Sequence, residues 1–181
     1  MATEILRPNA AGDETSIMFQ WPGSTYHWDK VDEAVADEGS TEVDTPTDAY
    51  QRDLYNLPAH SGSGTINFIK IYIRCLASFA DEGMAAKPSL KSDSTVTDGT
   101  EIILSTDWTT YSQQWATNPD DSEDWEWDDI DALQIGVSLH GFEEYGDGAF
   151  CTQVYVEVDY TEAPVPVADG DLIGIGIIRK G

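Results

Sequence analysis

The chain has 181 residues, 40% of them hydrophobic and 10% aromatic, which suits one ordinary domain and argues against a wholly disordered polymer. Against 34 Asp and Glu stand only 9 Lys and Arg, a formal net charge of -25. Phosphate contacts need clustered cations, so direct nucleic-acid binding is excluded as an expectation, and anionic lipid is repelled by the same charge.

The first residues, Met1-Ala-Thr-Glu-Ile-Leu-Arg-Pro8, carry neither the basic start nor the apolar stretch of a signal peptide. Residues 1–15 show no clear alternation and are expected to form an extended N-terminal arm. From there strand periodicity dominates and amphipathic helix is nearly absent, so the fold class is all-β. Weak strands are expected at residues 16–21, 26–28 and 50–56, with a short helix around Val31 and Val35 within residues 29–38.

Residues 66–76 give the clearest strand: Ile69, Ile71, Ile73 and Cys75 share a core face, and Lys70, Tyr72 and Arg74 the opposite one. Further strands are expected at residues 85–92, 100–104 and 109–115, followed by a single helical turn over residues 128–133. In residues 133–139, Leu133, Ile135, Val137 and Leu139 point inward. In residues 150–160, Phe150, Thr152, Val154, Val156 and Val158 face one way, and Cys151, Gln153, Tyr155, Glu157 and Asp159 the other. That register puts Cys75 and Cys151 on opposite kinds of face, so the only two cysteines read as unpaired thiols.

Strands so spaced, separated by Gly, Asp, Asn, Pro and Ser clusters, predict an antiparallel two-sheet β-sandwich, jelly-roll-like, over residues 16–160, with extended N- and C-terminal arms. Residues 161–181 read as a linker stiffened by Pro164 and Pro166, then a strand of Leu172, Ile173, Gly174, Ile175, Gly176, Ile177 and Ile178 that ends in Arg179 and Lys180. An unpaired strand of this kind is suited to adding to a neighbour's sheet. No apolar run reaches the roughly 18 to 20 residues of a membrane helix, so no membrane partner is expected.

Three constellations bear on chemistry. Asp120, Asp121, Glu123 and Asp124 are candidate Ca²⁺ ligands, although the spacing of an EF-hand loop is missing and a solvated acidic loop is the alternative. Trp115, Trp125 and Trp127 lie close to amides and carboxylates, the composition of a sugar-binding face. An extended Trp125-Glu-Trp127 places both rings on one side, whereas core packing of sandwich tryptophans is the competing reading. The three histidines, His27, His60 and His140, belong to no nucleophile motif, so no catalytic residue, cofactor or enzymatic activity is expected.

Several stretches resemble a known class: the opening Ile5-Leu-Arg-Pro-Asn-Ala-Ala-Gly-Asp13, the strand at residues 66–74, Trp115-Ala-Thr-Asn-Pro119 leading to Trp125-Glu-Trp-Asp-Asp-Ile-Asp-Ala-Leu133, and Thr152-Gln-Val-Tyr-Val-Glu-Val-Asp-Tyr160. Together they look like the β-sandwich structural proteins of tailed phages and related viruses, of capsid-decoration or fibre type. The resemblance implies a non-enzymatic virion subunit, made in a host cytoplasm, that self-associates, with a trimer as one fitting arrangement, and attaches to a major capsid or other virion protein. A carbohydrate-binding module or fibre-type adhesin using the Trp-rich face is the alternative.

Overall fold

A computed structural model describes residues 1–23, 26–80, 83–142 and 148–164. The strands run β1 (Ala2–Leu6), β2 (Ala10–Thr15), β3 (Phe19–Trp21), β4 (Glu42–Thr45), β5 (Gln51–Asn56), β6 (Gly64–Ala77), β7 (Ala85–Ser92), β8 (Thr95–Asp98), β9 (Ile102–Ile103), β10 (Thr109–Trp115), β11 (Gln134–His140) and β12 (Ala149–Glu162), with one helix, α1 (Trp127–Ala132), before β11. They form two antiparallel sheets. The first has the order β10-β6-β12-β4-β3, with β1 also on β12; the second has the order β2-β5-β11-β7-β8, with β9 also on β7. The expected two-sheet β-sandwich is therefore present.

Hydrophobic alternation drives the pairing. Ile69, Ile71 and Ile73 of β6 lie opposite Val158, Val156 and Val154 of β12, and all six are fully buried. From the second sheet Ile135, Val137 and Leu139 close the core with no exposure. Burying such side chains contributes roughly 1.5 to 3 kcal/mol each, which makes this facing pair of sheets the main source of stability.

Three expectations need correction. Residues 1–15 are no arm: β1 pairs with β12 from Ala2↔Tyr160 to Leu6↔Val156, and β2 pairs with β5 in the other sheet. The polar residues in both strands hide an alternation that ends in Leu6, only 4% exposed. The register of β12 also slips. Cys151 lies opposite Cys75 but Gln153 lies opposite Arg74, so Thr152 is an extra residue and a β-bulge reverses which parity faces inward. Ala149 and Cys151 are inward before the bulge, Val154, Val156 and Val158 after it, and both cysteines occupy the core as free thiols. Residues 29–38 hold only short 3-10 turns, Trp28–Lys30 and, at their end, Glu38–Ser40. The segment between them fills the gap that the bulge leaves: Val154 N–H donates to the Val31 carbonyl at 2.8 Å, and the Gln153 side-chain amide donates to the Glu33 carbonyl at 2.6 Å.

Among the described residues no helix is long and apolar enough to cross a membrane. The candidate assembly strand, Leu172 to Lys180, lies outside the described residues.

Candidate functional site

The tryptophans singled out by their clustering do not make a common surface. Trp125 is 4% exposed and its indole N–H donates to the Trp115 carbonyl at 3.1 Å, which makes it part of the core. Trp115 is partly buried against the same core. Trp127 is not in a strand at all; it opens α1, whose start is fixed by a reciprocal capping box between Glu126 and Asp129. Its ring stacks on His60 with 4.7 Å between centroids, meets Tyr160 edge-on at 5.1 Å and donates from Nε1 to the Gly64 carbonyl at 2.9 Å. The helix breaks the extended geometry on which a shared Trp125/Trp127 face depended.

The acidic loop does not assemble a metal centre. Among the described residues no group of three or more His, Cys, Asp or Glu side chains is placed to hold an ion. Asp121, Glu123, Asp124, Glu126 and Asp129 line a hollow of about 320 Å³, and several of these carboxylates serve the chain itself. Asp121 accepts from the Glu123 N–H at 2.9 Å and Asp129 from the Glu126 N–H at 2.8 Å. Asp120 lies apart, where hydrogen bonds, first of all from the Thr95 side chain, hold its carboxyl below the usual range.

Among the described residues, one pair of exposed aromatic side chains lies on the outer face of the first sheet. In β3, Phe19 pairs with Asp44, Gln20 with Val43 and Trp21 with Glu42. Val43 is fully buried, so Gln20 shares the inner side and Phe19 and Trp21 project outward, 50% and 59% exposed. Two positions apart on a strand, they stand about 7 Å from each other. Each ring therefore has a carboxylate directly across the strand pair. Burial pushes the carboxyls of Glu42 and Asp44 above their ordinary values, and for Glu42 the neighbouring Asp44 and Asp37 add to this. Phe150, opposite Asp44 on β12, continues the row.

Farther along the same face the Tyr72 and Tyr155 rings stack across β6 and β12 at 4.7 Å, with an interplanar angle of 9°. Cations flank the pair, with the Arg7 guanidinium 5.5 Å from the Tyr155 centroid and the Lys70 ammonium 5.0 Å from that of Tyr72. Between the two aromatic groups, Arg74 donates to the Thr110 hydroxyl at 3.2 Å and pairs with Glu38. The alternation Phe19-Gln-Trp21 was the available sequence signal, but consecutive apolar residues from Ile17 to Phe19 obscured which side of the strand faces out.

No protein-family model and no curated protein matches the sequence. Among solved structures, the chain is similar to a family 29 carbohydrate-binding module from Piromyces equi, at 12% identity and a TM-score of 0.44 over 88% of this chain and 93% of that one. A family 61 module in complex with β-1,4-galactotriose gives 11% identity and a TM-score of 0.40 over 66% and 72% of the two chains. A family 11 module from Clostridium thermocellum, in complex with a β-1,3-1,4-mixed-linked tetrasaccharide, gives 17% and 0.36 over 67% and 76%. Likeness at this level assigns no role to any residue of this chain.

Proposed function

We propose that the chain is a non-catalytic carbohydrate-binding module that takes neutral polysaccharide on the outer face of its first sheet. The observation that carries this reading is the side-by-side exposure of Phe19 and Trp21, each with a carboxylate, Asp44 or Glu42, as its cross-strand neighbour. Large aromatic rings left half in water forfeit about half of the roughly 1.5 to 3 kcal/mol that full burial contributes, a loss that a ligand restores. Sugar rings offer apolar C–H faces that stack on such side chains, and hydroxyl groups that donate to carboxylates beside them. With a net charge of -25 and two acids within the face itself, a polyanionic glycan is repelled.

Attachment to a virion lattice, which the sequence resemblance implies, would run through residues 165–181, outside the described residues, because residues 1–15 are committed to the two sheets.

Affinity electrophoresis through gels holding hydroxyethylcellulose, galactan, laminarin or alginate tests the glycan reading. Retardation by a neutral polymer, lost in Phe19→Ala and Trp21→Ala and absent with alginate, is expected. Equal mobility of the wild type and both variants in every gel would overturn it.

A further inference from the structure

The segment that carries Phe19 and Trp21 leaves β2 at Thr15 and comes back against the second sheet at His27. A single side chain meets both ends. Asp53, in the middle of β5, has no exposed surface. Its Oδ1 accepts the backbone N–H groups of Ser16 at 2.8 Å and Ile17 at 2.9 Å, before the aromatic pair. Its Oδ2 lies 2.6 Å from His27 Nδ1, after the pair, and accepts the Tyr55 hydroxyl at 3.2 Å. A carboxylate oxygen accepts, so an imidazole that carries a proton on Nδ1 donates to it at this contact.

We propose that Asp53 is the positioning residue of the aromatic face: one buried carboxylate holds Ser16 and Ile17 before β3 and His27 after it, and thereby sets the placement of the Phe19 and Trp21 rings. The strand between them is three residues long, lies at the sheet edge and pairs only with β4 among the described residues. So short a ladder leaves its own order dependent on what holds its ends. A segment ordered in advance spares the ligand the entropic cost of ordering it, which is how a buried group with no contact to the glycan raises affinity. The purpose assigned to the clamp rests on the glycan reading, whereas the clamp itself does not.

Amide hydrogen exchange on the full chain, paired with gel retardation in the neutral polymer that retains the wild type, separates the two. Loss of one hydrogen bond to a charged group corresponds to about tenfold or more in a local equilibrium. His27→Ala and Asp53→Asn are therefore expected to speed exchange at the amides of residues 17–21 by about tenfold and weaken retention, with β6 and β12 as protected as before. His27→Ala should add nothing in the Asp53→Asn background, because both changes undo the same clamp. If Asp53→Asn fails to fold, the milder His27→Ala decides. Unchanged exchange at residues 17–21 in the folded variants would overturn the clamp, and faster exchange with unaltered retention would overturn its role in binding. A wild type that no polymer retains defeats the glycan reading alone, since the exchange result stands without ligand.

Discussion

Cys75 and Cys151 face each other across β6 and β12, both without exposed surface. Burial, and then contact with Cys151, pushes the Cys75 thiol well above its ordinary range. Because the thiolate is the reactive form, neither cysteine should react with a disulfide reagent such as DTNB while the protein is folded. Both should react once guanidinium unfolds it. Rapid modification of either thiol in the native state would mean that this rung of the core opens.

Gly136 makes a second rung equally intolerant. A Cβ at this position of β11 would stand 1.8 Å from the Asp53 carbonyl oxygen, and backbone cannot move aside as a flexible side chain does. Gly136→Ala therefore forces β5 and β11 apart at their pairing of Gly136 with Leu54. Overpacking of this kind costs about 1 to 3 kcal/mol or more, and at this size about 2 to 4 °C of melting temperature is lost per kcal/mol. A scan by calorimetry in which the variant melts like the wild type would refute the close approach.

The aromatic face should store an electrostatic penalty that depends on pH. Glu42 and Asp44 have carboxyls raised by burial above ordinary values of 4.5 and 3.8. A raised folded value means that the native state binds protons more tightly than the unfolded chain. These acids thus disfavour folding increasingly as pH rises through the unfolded values toward the folded ones, and the effect stays at a plateau above them. Glu42→Gln with Asp44→Asn is expected to raise the melting temperature at pH 7 and to have little effect near pH 3. A gain that is equal at both pH values would place its origin in packing.

What could be read in the sequence followed from apolar residues that recur at every second position. The alternation of β6 and the inward residues Ile135, Val137 and Leu139 of β11 appear in the residues themselves because one face of each pattern is continuously apolar. Strand β12 shows the same pattern, but an inserted residue at Thr152 shifts its parity, and no local propensity marks a bulge. Strands β1, β2 and β4 are rich in Asp, Glu and Thr and take their order from partners far along the chain, so local reading missed them. The packing of the tryptophans escaped local reading for a related reason. Aromatic clustering in sequence drew attention to Trp115, Trp125 and Trp127, whereas exposure is decided by which element lies against each ring.

That contrast gives the sharpest mutational test, since two tryptophans exchange roles relative to their sequence context. Trp125 is 4% exposed and tied by its indole to the Trp115 carbonyl, so Trp125→Ala leaves a cavity and an unpartnered acceptor. It should cost about 3 to 5 kcal/mol. Trp21 is 59% exposed on an edge strand, so its truncation removes far less buried surface than that of Trp125. Its cost should stay at about 1 kcal/mol, the centre of the range for single substitutions. Urea unfolding followed by far-ultraviolet circular dichroism checks both values, and gel retardation on the same samples reads binding. Trp21→Ala should keep most of its stability and lose the glycan, while Trp125→Ala, examined where it remains folded, should keep the glycan and lose stability. The reverse pattern would move the site back to the tryptophan cluster.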